Sequence, residues 1–272
     1  MSFEQRGPLP LDYQPVSYPG SVLRFRGPGH ALEPPYVLCL GGTETFGRFI
    51  PLPYATQLDA ALPAAVVNMG VMNAGLDVLM HDPAIRAATA GAAAVVLQVT
   101  GAQNMSNRFY AVHPRRNDRF VKATAILRTV YRDVDFTEFH YTRHLLTHLR
   151  ALSADRFGIV EAELRTAWVA RMKGFLGRTA APVHLMWLSR RAPGDAPPAG
   201  GLGADPVLVT AAMLEEVTPL AASLTVAVAP PAEGPAATRG MFYAPREEAA
   251  ARALPGPEAH DLAAALLRDR LG

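Results

Sequence analysis

Cysteine is almost missing from this chain: one residue, Cys39, in 272. An internal disulfide is therefore excluded, and a thiolate metal site would need ligands the chain does not have. The surrounding run Tyr36-Val37-Leu38-Cys39-Leu40 makes a buried core thiol the expected role. No stretch approaches the ~18 consecutive apolar residues of a membrane span. The segment from Met1 to Pro10 is polar and proline-rich and lacks the basic-then-apolar pattern of a secretion signal, so a cytoplasmic protein without membrane contact is expected. Excess charge is missing too. A formal net charge of +2 does not imply the concentrated basic face that a nucleic acid demands. Internal repeats are absent. What the chain has in quantity is apolar side chains, 50% of its residues, enough for one large domain or one domain with a small appendage.

Residues 1–35 are dense in proline and glycine and read as an irregular N-terminal extension, with a short edge-strand alternation only in Ser21-Val22-Leu23-Arg24-Phe25-Arg26. From residue 36 to 272 five apolar runs resemble buried parallel strands: 36–40, 65–70, 94–101, 183–188 and 224–228. Helical patterns fall between and after them, at 54–62, 74–91, 120–131, 136–152, 154–177, 208–222, 246–253 and 258–271. Strands alternating with helices predict a three-layer α/β domain with a five-stranded parallel sheet covered on both faces. The stretch 102–181 is longer than an ordinary crossover and holds three of the helical patterns. It is expected to be a helical insertion serving as a cap or as a homo-oligomer interface. The Pro/Gly-rich segment 191–203 reads as a surface loop.

Chemistry is expected at the strand ends, where α/β sheets bind ligands. Gly41-Gly42-Thr43-Glu44-Thr45-Phe46-Gly47 closes the first strand and opens a helix. Thr43 is a candidate nucleophile, helix cap or ligand hydrogen bond, and Glu44 is a ligand contact or a capping carboxylate favoured by the helix dipole. Asn68 and Asn73 follow the second strand, and Gln103 and Asn104 follow the third. Together with Gly42 they suit a polyhydroxyl or carbonyl ligand, while asparagines at strand ends also stabilise turns.

The segment 107–120 gathers Arg108, Arg115, Arg116, Arg119 and His113 with Phe109, Tyr110 and Phe120 in the loop leaving the third strand. Guanidinium forks suit phosphate, sulfate or carboxylate, and Arg190 and Arg191 are further candidates. His113 is the best substitute base for Thr43. His140, His144 and His148 recur every four residues, yet no glutamate follows the first of them as a helical zinc motif requires, so no metal and no cofactor is expected.

Three blocks resemble the SGNH (GDSL-type) hydrolase family, a resemblance that implies flavodoxin-like connectivity for the five-stranded sheet. Residues 41–47 look like its Gly-Asp-Ser-Leu-Thr-Phe-Gly block, with Thr43 at the serine and Gly42 at the aspartate. Asn68-Met69-Gly70-Val71-Met72-Asn73-Ala74-Gly75 is similar to the block whose glycine amide serves the oxyanion hole, which points to Gly70. Gly101-Ala102-Gln103-Asn104 is similar to Gly-x-Asn-Asp, with Gln103 at the oxyanion asparagine. Residues 254–266 are similar to the C-terminal histidine block, but Leu254 stands at the general base, Ala251 at the aspartate, and His260 at a second, noncatalytic histidine. The sequence also resembles, more closely, a bacterial domain family of unknown function that shares the Gly-Gly-Thr-Glu-Thr and Asn-Arg-Phe-Tyr motifs.

The resemblance implies an SGNH-like protein lacking the usual Asp/His pair. With the arginines, the expected partner is a small anionic or carbohydrate-derived ligand at the strand C-terminal ends. The alternatives are an ester hydrolase or acyl transferase in which His113 activates Thr43 while Gly70 and Gln103 hold the oxyanion, and a non-catalytic scaffold subunit.

Overall fold

The computed structural model describes residues 11–198, 200–230 and 232–272. The N-terminal stretch Met1–Pro10 lies outside them. Strands β1 (Tyr36–Gly41), β2 (Ala65–Gly70) and β3 (Ala94–Gln98) come first, β4 (Tyr110–His113) and β5 (Arg116–Ala123) form an antiparallel hairpin, and β6 (Val183–Ser189) and β7 (Ser223–Val228) complete the set. Five of these pair in parallel in the order β2-β1-β3-β6-β7, a flavodoxin-like sheet.

The helices are α1 (Thr43–Phe46), α2 (Tyr54–Ala61), α3 (Leu76–His81), α4 (Pro83–Gly91), α5 (Ala125–Val130), α6 (Thr142–Leu152), α7 (Ala154–Arg178), α8 (Ala211–Val217), α9 (Glu248–Ala253) and α10 (Pro257–Leu271). Because side chains alternate along a strand, Val37 and Cys39 face one layer while Leu38 and Leu40 face the other. Val37 and Cys39 pack with Tyr54 and Leu58 of α2 and with Ala263 and Leu267 of α10. Leu38 and Leu40 join the larger cluster built on Leu76, Ile85 and Trp168 from α3, α4 and α7. The chain thus covers one face after β1 and the other after β2. The order reverses between β1 and β3, and a crevice opens at their carboxyl ends.

Several elements differ from the sequence expectation. Pro83 splits the helix expected over 74–91, with Asp82 accepting hydrogen bonds from the Ala84 and Ile85 amides as the N-cap of α4. The arginine-rich segment is a hairpin and not a loop: Tyr110 and Val112 alternate inward along β4, while on β5 the buried Asn117, Phe120 and Ala123 fall three apart beside shifts in the pairing register. The insertion is therefore mixed α and β, and the helix expected at 120–131 starts only at Ala125. Helix α6 starts at Thr142, so His140 precedes it, and the rings of His144 and His148 lie 5.0 and 5.1 Å from that of Phe139. Ser21–Arg26 contributes a single bridge, between Val16 and Phe25, and no strand. Among the described residues no helix is long and apolar enough to cross a membrane.

The N-terminal segment is fastened to the domain by a buried guanidinium. Arg26 donates to the carbonyls of Gly47 (2.6 Å), Ile50 (2.8 Å) and Pro51 (2.9 Å), filling acceptors in the loop after α1. The Tyr13 hydroxyl accepts from the Phe49 amide at 3.0 Å.

Candidate functional site

The turn from β1 into α1 is built around Gln98, the last residue of β3. Its side-chain oxygen accepts from the Gly42 amide (2.9 Å), the Thr45 amide (3.1 Å) and the Thr45 hydroxyl (2.6 Å), while its Nε2 donates to Glu44 Oε2 at 2.6 Å. One neighbouring strand thereby fixes the whole Gly-Gly-Thr-Glu-Thr turn. Burial pushes the Glu44 carboxyl up to about 7, helped by the nearby Asp205 charge and opposed by the Gln98 hydrogen bond. A carboxyl poised there exchanges protons near neutrality.

This turn forms one wall of a small polar cavity of about 50 Å³, shared by Gly42, Thr43, Glu44, Asn73, Thr100, Gln103, Asn104 and Asp205. Thr43 Oγ1 donates to Asn73 Oδ1 (3.2 Å) and accepts from the Asn73 amide (2.9 Å). Asn73 holds a left-handed φ of 58°, which its short polar side chain tolerates. Thr43 is thus clasped by the neighbouring loop, where a helix cap or an imidazole partner was among the expectations. Asn104 accepts from the Thr142 hydroxyl at 2.7 Å through Oδ1, and its Nδ2 donates to no described residue. Gln103 Nε2 donates to Asp205 (2.9 Å), which also pairs with Arg143 of α6 at 2.9 Å. Two buried atoms of this wall, Thr100 Oγ1 and Gln103 Oε1, have no hydrogen-bond partner among the described residues. Such a group is costly wherever neither water nor another polar atom reaches it.

Gly42 has an ordinary negative φ of −91°, and a Cβ there would come no closer than 3.5 Å to other atoms, including Glu44 Oε2. Gly42→Ala is accordingly expected to change the unfolding free energy by no more than about 1 kcal/mol in urea titration. The added methyl narrows the cavity while stability stays.

Asn73 also borders a second, larger cavity of about 470 Å³, a groove lined by Tyr13, Arg24, Arg48, Phe49, Met72, Arg115, Arg116, Phe242 and Glu247. Arg48 pairs with Glu247 at 2.9 Å, whereas Arg24, Arg115 and Arg116 have no carboxylate partner among the described residues. The hairpin carrying Arg115 and Arg116 is locked in place by the fully buried Asn117, whose Oδ1 accepts from the Gly75 and Val78 amides at 3.0 Å. Asp118 accepts from Asn73 Nδ2 at 3.2 Å, its carboxyl raised by burial and restrained by Arg116.

Other expected site residues lie elsewhere. The Gly70 amide donates to Asn68 Oδ1 at 2.9 Å, and a Cβ at Gly70 would overlap the Phe46 amide, so this glycine admits α1 against β2 and presents no free donor to the cavity. Asn68 spends its Nδ2 on the Thr45 carbonyl and borders neither cavity. His113 accepts from the Arg115 amide at 3.2 Å in the hairpin turn and also borders neither. Arg108 is largely exposed and faces Glu163 at 3.6 Å. Arg190 donates to the carbonyls of Leu254 and Ala237, and Arg191 to those of Pro206 and Val209, which uses both guanidiniums structurally. His260 is buried in α10 and accepts from the Tyr54 amide at 3.2 Å, and desolvation drives its pKa down to about 3. It remains neutral in the core.

Gln98, Thr100, Asp205, Asn117, Arg24 and Arg48 were not singled out from the sequence. For Gln98 a signal existed: an amide closing the apolar run Val95-Val96-Leu97.

Residues 1–272 match the family described as a domain of unknown function, DUF6473. The chain belongs to that family. No curated protein matches it. Among solved structures, this DUF6473 chain is similar to the lipase Lip_vut3 from a goat rumen metagenome, at 12% identity and a TM-score of 0.43, over 86% of this chain and 96% of that one. It is also similar to a protein from Lactobacillus plantarum, at 14% identity and a TM-score of 0.41, over 87% and 95% of the two chains.

Proposed function

We propose that this DUF6473 protein is an SGNH-like domain without the usual Asp/His pair, which binds a small, anionic, carbohydrate-derived ligand at the carboxyl ends of β1 and β3. The observation that carries this reading is the pair of adjoining cavities sharing Asn73: one rich in unfilled acceptors, the other in unpaired guanidiniums. The smaller cavity, about 50 Å³, has room for one hydroxymethyl or amide group and not for a sugar ring. Its Glu44 and Asp205 carboxyls disfavour an anion there. The ligand therefore divides: a hydroxyl-bearing tip bonds Thr100, Gln103 and Asn104, while the charged part lies against Arg115 and Arg116, whose forks match phosphate or sulfate. Thr43 acts as a positioning hydroxyl, since its proton is directed at an amide oxygen and no base receives it.

The test is thermal unfolding of the intact protein with sulfated and phosphorylated sugars. A ligand at a hundred times its Kd adds about 2.7 kcal/mol. That stabilisation is expected to vanish in Arg115→Ala and Arg116→Ala and to persist in Arg108→Ala, whose side chain lies outside the groove. Stabilisation unaffected by Arg115→Ala and Arg116→Ala would sink the reading, as would no stabilisation by any such sugar.

A further inference from the structure

The groove is not only basic. Met72 and Phe242, 43% and 36% exposed, are large apolar side chains from separate loops that both border it. Beneath them Phe49 is buried at a left-handed φ of 68°, a conformation that costs a bulky residue on the order of 1–3 kcal/mol and persists only where the surroundings enforce it. The backbone tie from the Phe242 amide to the Phe49 carbonyl (2.9 Å) is part of that enforcement, and it holds the Phe242 loop at the groove. The guanidinium of Arg48 lies 4.5 Å from the centre of the Phe49 ring. A site for a bare sugar phosphate has no use for two exposed apolar side chains.

From this we infer that the groove takes the nucleoside diphosphate portion of a nucleotide sugar, with the base ring on Phe242 and Met72 and the sugar tip in the small cavity. The inference rests on the ligand-binding reading above and names the class of ligand. Arg24 reaches the groove from the N-terminal segment, Arg48 from the loop after α1, and Arg115 and Arg116 from the β4–β5 hairpin, so guanidiniums from three places line it to receive the phosphoryl groups. Glu247, the one carboxylate lining the groove among the described residues, is already bound to Arg48. A volume of about 470 Å³ falls within the range of pockets that enclose cofactor-sized ligands. An aromatic or guanidinium plane accepts any base by stacking, so the site is expected to favour a ring without strong choice among rings.

The experiment is calorimetric titration of the full chain with uridine diphosphate glucose, adenosine diphosphate glucose and glucose 1-phosphate. Both nucleotide sugars are expected to bind at least about tenfold more tightly than glucose 1-phosphate, as one stacked base contributes ~1–3 kcal/mol. Phe242→Ser should bring the three within about twofold of one another by weakening the nucleotide sugars more than glucose 1-phosphate. Met72→Ser, at a second exposed position, should narrow the gap in the same way. Equal affinity for all three probes in the unaltered protein overturns the nucleotide assignment and leaves the sugar-anion reading standing. A gap unchanged by both substitutions overturns it as well. Binding of none of the probes, with no stabilisation by any sulfated or phosphorylated sugar, overturns both.

Discussion

Gln98→Leu is expected to destabilise the protein by about 4 kcal/mol, read as a fall in the urea midpoint at unchanged slope. The three bonds ending on its side-chain oxygen come from two backbone amides and a hydroxyl, all buried. Leucine leaves both amides without an acceptor and Glu44 without its donor, and each such buried group costs ~1–3 kcal/mol. Gln98→Glu separates the parts of that cost. It keeps an acceptor for the Gly42 and Thr45 groups but sets a second carboxyl against Glu44. Its loss should be small near pH 5, where a shared proton can bridge the two, and larger near pH 8, where both would have to ionise. Equal losses at the two pH values would show that the amides alone matter.

Glu44→Gln should behave in the opposite way and raise stability in alkaline solution. The folded carboxyl holds its proton up to about pH 7, whereas the unfolded one releases it near 4.5. Between those values the native state binds more protons, so its stability falls as pH rises, and above the folded value the full penalty applies. The difference amounts to on the order of 3 kcal/mol. Glutamine copies the neutral acid and can still accept from Gln98. Unfolding temperatures of the two proteins should therefore coincide near pH 4 and separate by about 6 °C or more near pH 8. A constant difference across the range would mean that Glu44 does not titrate late.

Much of the architecture is legible in the sequence because the buried strands are short Val- and Leu-rich runs ending in glycine, amide or hydroxyl residues. Thr43, Glu44, Asn73, Gln103 and Asn104 are legible for the same reason, as polar residues just beyond such runs. Sequence gives the end of the strand but not the side of α1 on which a residue falls. Asn68 and Gly70 follow the same rule and lie behind that turn. Asp205 sits far along the chain in a loop with no motif, and only the parallel pairing of β3 with β6 carries it to Gln103. The hairpin escaped because its inward positions, Tyr110, Val112 and Phe120, are interleaved with arginines that dominate the composition. The charge is conspicuous there, and the pleat is hidden beneath it.

The clasp of Arg26 on the Gly47, Ile50 and Pro51 carbonyls changes where the chain can be cut. A fragment beginning at the first strand would keep every layer of the sheet, yet three inward carbonyl groups would lose their cation and Phe49 would lose the Tyr13 hydroxyl that holds its amide. The proline-rich leader is thus a splint for the wall of the arginine groove. Gene fusions and trimmed expression clones should preserve it along with the loop after α1 that it supports.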